Sequence, residues 1–357
     1  MIASQTTIYI KDIPFSNAKD MLSAISYGGE LYDTFNGNFI FRGHSDDRYK
    51  LLPTALRSNL YLDTLFQREI TDEHYAISLS EYGQIEAEAS LLWDFFKKCD
   101  NTHLYVPEER CLRDSFIFPF DYQALLSPEI WIAEEYQELA ALAQHNGVPT
   151  RLLDWTTEIC VSLYFASSSV LREKATPSRY TREEWLSEIN STYNIIKESR
   201  KGNSPIKHSQ KYIEIWALDT AVLYADKKMS IPLQIARPRY LYNNNLAAQK
   251  GIFTYWSVKK PLKRLQDKSF APDFSVLRND KALDEQIETY LTNCQAEAKP
   301  YLYRLTCPQE DFLQVFEYAV RNHCDAAHLF PGYKGVAQGV EEELFYKKMK
   351  VRSRVSK

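Results

Sequence analysis

Apolar positions in this chain fall into short compact or alternating runs, separated by longer stretches in which they recur at helical spacing. Alternation over residues 212–218 (YIEIWAL) predicts a strand. The compact runs 38–42, 150–155, 252–258 and 301–306 predict four more, and residues 6–10 read as an extended start. Helical spacing of Ile85, Ala89, Leu92, Trp93 and Phe96 predicts a helix over 81–100. Asn17 or Ser16 caps a helix that runs to Ser26. Pro128 sits in the first turn of one that ends at Ala143 before Gly147 and Pro149. Thr156 or Thr157 caps a helix that reaches about Ser169, and residues 308–322 form another. Helices dominate the first half and strands alternate with helices in the second, which predicts an α+β fold: a mixed sheet core with inserted helices.

The expected organisation is an N-terminal extension over 1–37, a main domain over 38–343 and a basic C-terminal tail over 344–357. Within the main domain, 60–140 reads as a helical insertion. The stretch 172–211, polar and broken by Pro177, Gly202 and Pro205, reads as a second insertion.

With 357 residues, 45% of them hydrophobic and 25% charged, the chain is long enough to bury a large core. No run of 18 apolar residues is present, so no membrane span is expected. Residues 1–15 lack the basic start and apolar stretch of a secretory signal. Six cysteines are scattered without a CxxC pair, which points to reduced thiols and a cytoplasmic location. P-loop, GxGxxG and HExxH patterns are missing. His323 and His328 around Cys324 and Asp325 do not make a metal site, so no metal is expected.

The net charge of −4 hides a strong polarity. Residues 227–268 hold ten Lys or Arg against one acid, and residues 81–135 hold twelve acids against four bases. Cations neutralise phosphates and aromatic rings stack on bases. Arg237, Arg239, Tyr240, Tyr242, Lys250, Lys259 and Lys260 are therefore candidate nucleic-acid contacts. A solvated basic face beside core aromatics is the competing reading.

Candidate chemistry concentrates in two places. Arg42, whose planar guanidinium can fork onto a phosphate, precedes Gly43, which could let a ligand approach the backbone. His145, Thr150, Arg151, Asp154 and Thr156 form the second cluster. Strand alternation would put Thr150, Leu152 and Asp154 on one face and Arg151 and Leu153 on the other. Asp154 could orient a ribose hydroxyl or act as acid, base or charge stabiliser, and Thr156 sits at a helix N-terminus where phosphate is welcome. Purely structural roles are the alternative: Arg42 paired with a carboxylate, Asp154 in a buried network with Arg151, His145 in the core.

Four segments in order resemble the FRG-domain family: Phe41-Arg42-Gly43 with Leu52-Pro53 and Arg57, then LAQHNGVPTRLLDWTTEICVSLYFA (142–166), LAAQKGIFTYW (246–256) and HLFPGYKGV (328–336). His44 stands where the family often has Gln. The resemblance implies a core similar to ADP-ribosyltransferases and NAD as substrate. It also implies a toxin role in a bacterial phage-defence system, with RNA as acceptor and an antitoxin protein as partner. Arg42, Gly43, His145, Thr150, Arg151 and Thr156 would then hold NAD, and Arg42, Asp154 and Gln249 would carry the reaction. Transferases that modify arginine place a glutamate before a Gly-x-Phe element. Residues 243–253 offer Asn244, Asn245 and Gln249 but no acid, which leaves Asp154 as the expected carboxylate. A nucleic-acid-binding or sensor module without catalysis is the alternative of a different class, and a nuclease or NAD glycohydrolase is a third.

Overall fold

Seven strands hydrogen-bond into one mixed sheet: β1 (Ile10–Pro14), β2 (Phe39–His44), β3 (Leu153–Thr156), β4 (Tyr212–Asp219), β5 (Leu233–Ala236), β6 (Gly251–Trp256) and β7 (Leu302–Pro308). Their spatial order is β1-β7-β4-β2-β3-β6-β5, and only β1 and β7 run parallel. The computed structural model describes residues 8–64, 70–107, 129–175, 210–225, 231–240, 243–266 and 269–355. Among these, the helices of eight residues or more are α1 (Ala18–Ile25), α2 (Glu81–Asn101), α3 (Gln137–His145), α4 (Ile159–Ala175), α5 (Leu283–Asn293), α6 (Phe312–Arg321) and α7 (Tyr333–Val355).

Alternation along the strands divides the core. Phe41, Ile213, Ile215, Ala217, Leu305 and Cys307 face one side and pack against α1, α4 and α6. Ile40, Trp216, Leu218, Leu302, Leu153 and Trp155 face the other, where α5 brings Leu283, Ile287 and Leu291. A third cluster joins α2 and α3 to Ala236, Phe253 and Tyr255. The sheet is continuous but unevenly joined. β2 makes six register pairs with β4, and β3 makes four with β6, yet β2 and β3 meet at one pair, Phe41 with Thr156.

Most predicted elements are present, with shifted ends. Asn17 caps α1, its side chain accepting from the Asp20 N–H. Strand β3 begins at Leu153 instead of 150, because the Thr150 hydroxyl takes the Leu152 N–H and Arg151 turns to carboxylates on α2. Pro128 lies outside the described residues. Ile130–Trp131 pairs with Val258–Lys259, and a 3-10 turn over Glu134–Tyr136 precedes α3. The expected helix from residue 308 is a 3-10 turn, Gln309–Asp311, followed by α6. The first strand is Ile10–Pro14, and residues 1–7 of the extended start lie outside the described residues. Of the polar stretch 172–211, residues 176–209 lie outside them as well. Residues 344–355 continue α7. Among the described residues, no helix is long and apolar enough to cross a membrane.

Candidate functional site

Directly opposed residues in an antiparallel pair share a face. Arg42 opposes Trp216 and His44 opposes Glu214, so these four stand on the α5 side of the sheet. Asp154 opposes Phe253 and belongs to the other side. Regular pairing of β2 with β3 would separate Arg42 from Asp154, but the two strands pair at one position only. Arg42 reaches across the resulting seam. Its Nη1 donates to the Asp154 carbonyl oxygen at 2.6 Å and lies 3.5 Å from Asp154 Oδ2.

A cavity of about 690 Å³ opens along this seam, a size suited to a drug-sized or nucleotide-sized ligand. Four cations line it: Arg42, Arg48, Lys50 and Arg57. Arg48 is engaged by Asp46 at 2.5 and 2.8 Å, and this pairing holds the Asp46 carboxyl well below the usual carboxylate range. Lys50 Nζ lies 3.5 Å from Glu285. Arg57 donates Nε–H to the Leu52 carbonyl at 2.9 Å and makes no ion pair with any described residue. Asp154 is the one acid in the described lining, and its side chain is 59% exposed. Its Oδ1 accepts from Gln144 Nε2 at 2.8 Å, and Gln144 Oε1 accepts in turn from the Thr150 hydroxyl. The cavity therefore combines cationic charge with one held, solvent-facing carboxylate.

His44 backs Arg42. Its Nε2 accepts from Arg42 Nε at 3.1 Å, which puts the imidazole proton on Nδ1, facing Glu214 Oε2 at 3.1 Å. Burial, with Arg42 and Arg57 nearby, pushes the His44 pKa down to about 3, so the ring is neutral. Burial also pulls the Arg42 guanidinium below its ordinary value, with Asp154 opposing the shift.

Arg42, Gly43, Asp154, Thr156 and Gln249 all line the cavity, although they come from three distant stretches of chain. Two of them carry other duties. A Cβ on Gly43 would sit 2.0 Å from the Ser162 carbonyl oxygen, so Gly43 is required for α4 to lie on the sheet more than for ligand approach. The Thr156 hydroxyl donates to the Gln249 carbonyl at 2.8 Å and accepts from Glu158 N–H at 3.0 Å, so it is committed to protein partners. Gln249 donates Nε2–H to the Leu329 carbonyl at 3.0 Å.

Three expected ligand contacts lie away from the cavity lining. Arg151 is buried between Glu88 and Glu81, because two carboxylates on α2 outcompete any ligand for its guanidinium. Thr150 is buried and acts on Asp154 through Gln144. His145 Nε2 meets Asn245 Nδ2 at 3.1 Å and ties α3 to the short helix Asn244–Ala248.

The basic stretch divides between core, ion pairs and open surface. Phe253 and Tyr255 are core residues. Arg239 is paired with Glu138 and Lys250 with Glu158, while Lys260 is half-buried and burial lowers its pKa. Arg237 and Lys259 are exposed. Tyr240 is 47% exposed, its hydroxyl donating to the Gly251 carbonyl, and Tyr242 lies outside the described residues. In the acidic stretch, Glu81 and Glu88 are buried against Arg151.

Sequence reasoning missed the ring of Arg48 and Lys50, the Gln144 relay and Glu214. The last left a trace: an acid at the centre of an apolar strand, between Ile213 and Ile215. Among the described residues, no group of His, Cys, Asp and Glu could hold a metal ion.

No curated protein and no solved structure matches the chain. The family model for the FRG domain does, over residues 37–175, a span that includes β2, β3 and every cavity residue named above except Gln249. Residues 37–175, which carry Phe41-Arg42-Gly43 on β2 and Asp154 across the seam from it, form an FRG domain.

Proposed function

We propose that the seam cavity binds NAD and that the protein is an NAD-dependent ADP-ribosyltransferase whose acceptor is RNA, acting as the toxin of a defence module. The observation that carries this reading is Arg42 in contact with Asp154 inside a cavity lined by three further cations. Arg57 and the free N–H groups of Arg42 suit a pyrophosphate. The departure of nicotinamide from ribose C1′ builds positive charge on the sugar, as in glycoside hydrolysis, and an exposed carboxylate at the same site would stabilise it. The bond from C1′ to the nicotinamide nitrogen breaks with its electron pair leaving on nicotinamide. A base or hydroxyl of RNA attacks C1′ and gives its proton to Asp154 or to water. Glu214 is 1% exposed and sits behind His44, so Asp154 serves this chemistry and Glu214 does not. The choice of RNA rests on Arg237, Lys259 and Tyr240, which are exposed members of the basic stretch.

The test is incubation with NAD labelled in the adenylate portion and with RNA. Label is expected on RNA, and Arg42→Ala or Asp154→Ala should each slow its appearance by about a hundredfold or more. The pair Arg237→Ala and Lys259→Ala should weaken RNA binding and flatten its salt dependence by about two phosphates' worth. Intact NAD after prolonged incubation, with no label on RNA or protein, would remove the proposal. RNA binding that NAD leaves unchanged would favour a sensor module.

A further inference from the structure

Behind Arg42 the sheet carries a row of polar side chains running to its far edge. Asp12 on β1 is in register with Arg304 on β7, Arg304 with Trp216 on β4, and Trp216 with Arg42 on β2. Arg304 grips Asp12 at 2.8 and 2.7 Å, and its Nη1 stands 3.7 Å from Glu214 Oε1. Glu214 Oε2 accepts from Trp216 Nε1 at 2.7 Å and from His44 Nδ1 at 3.1 Å. Glu214 Oε1 is buried without a hydrogen-bond partner. His44 Nε2 then takes the Arg42 Nε–H. Arg42 Nε is fixed by this row and Nη1 by the Asp154 carbonyl and carboxylate, which leaves Nη2 for a ligand.

We infer that Glu214 is a positioning residue: through His44 it fixes the guanidinium of Arg42 in the cavity, and its own charge sets how tightly the cavity holds an anion. The tautomer supplies the mechanism. His44 can accept from Arg42 only while its proton sits on Nδ1, and Glu214 is the acceptor that keeps it there. Without that acceptor the proton can move to Nε2. Two donors then face each other, and the guanidinium loses its register.

The groups facing Glu214 are His44 and Asp47 from the β2 side, Trp216 on its own strand, Arg304 from β7 with Asp12 behind it, and Asp284 from α5. Burial pushes the Glu214 pKa up to about 8. Asp47 and Asp284 add to the shift, while the Trp216 N–H and Arg304 oppose it. Below that pH the carboxyl is neutral and Arg42 presents its full charge. Above it, a buried anion beside His44 offsets that charge. Binding of an anionic ligand therefore favours protonated Glu214, and affinity falls as pH rises through about 8.

Only the affinity arm of the test rests on the nucleotide reading. In ligand-free full-length protein, nitrogen NMR of His44 should show the Nδ1–H tautomer, with no protonation between pH 8 and about 5. Glu214→Leu should lose that tautomer and Glu214→Gln, an uncharged isostere, should keep it. An Nε2–H tautomer in the wild type, or titration of His44 near its ordinary value, would overturn the inference whatever the cavity binds. With ADP-ribose as probe, wild-type affinity should fall about three- to tenfold between pH 7 and 9, an order set by one charge at short range in a partly buried site. Glu214→Gln should show no such step. The same step in Glu214→Gln would overturn the electrostatic half of the inference. If ADP-ribose binds neither protein, the nucleotide reading and the electrostatic half fall together, while the imidazole spectra decide the positioning role alone.

Discussion

Arg151→Ala is expected to lower unfolding free energy by about 3–5 kcal/mol, a large share of an ordinary protein's stability. Arg151 is 4% exposed and is the only cation that its two carboxylates meet among the described ion pairs. Its Nε donates to Glu88 Oε2 at 2.7 Å, and its Nη2 donates to Glu88 Oε1 at 2.9 Å and to Glu81 Oε1 at 3.1 Å. Burial works against the guanidinium charge, and the Glu88 and Glu81 carboxylates more than reverse that effect, so Arg151 holds its proton above its ordinary range. The carboxylates are themselves fixed. Trp131 Nε1 and Gln84 Nε2 donate to Glu88, and the Asn279 N–H donates to Glu81. Truncating Arg151 leaves two anchored anions in the interior with no cation, which is the costly case. Urea denaturation measures the loss. Adding Glu88→Gln to Arg151→Met should recover more than half of it, because the neutral amide keeps the Trp131 contact. A loss below about 1 kcal/mol for Arg151→Ala would show that water enters the site and relieves the charges.

Gly43→Ala is expected to lower stability by about 3 kcal/mol and ligand affinity with it. The added Cβ would lie 2.0 Å from the Ser162 carbonyl oxygen, 2.9 Å from its carbonyl carbon and 3.0 Å from the Ala166 Cβ. Two of these are backbone atoms of α4, so no rotamer change relieves the contact and the helix must lift from β2. Ser162, Phe165 and Ser169 of α4 line the cavity, so the wall moves with the helix. Arg42→Ala should behave differently, weakening ligand binding while leaving the melting temperature nearly unchanged. The two variants together separate the roles of neighbouring residues. Equal thermal midpoints for Gly43→Ala and wild type would contradict the close approach.

Parts of this site were legible in the sequence. The Phe41-Arg42-Gly43 run, Asp154 and Gln249 lie in three separated stretches, and each reaches one cavity because a compact strand or a helix end puts it there. What stayed hidden depended on which partner wins. Arg151 reads as well for phosphate as for carboxylate until α2 brings Glu81 and Glu88 against it. Alternation over 150–155 failed because the Thr150 side chain bonds the backbone and the strand starts only at Leu153. Aromatics in the basic stretch suit stacking and core equally, and Phe253 and Tyr255 sit on a strand buried against α2 and α3, where nothing in the local pattern says which face is covered. Glu214 was visible as an acid among isoleucines, and its importance follows from His44, 170 residues away along the chain.

The single register pair between Phe41 and Thr156 has a mechanical meaning. Four strands on one side and three on the other form two plates riveted at one point, each stiffened by its own ladder. Amides of β2 that look toward β3 are expected to exchange with solvent faster than those that look toward β4. A ligand that grips Arg42 on one plate and Asp154 on the other would act as a clasp, and it should slow that exchange on both sides of the joint at once.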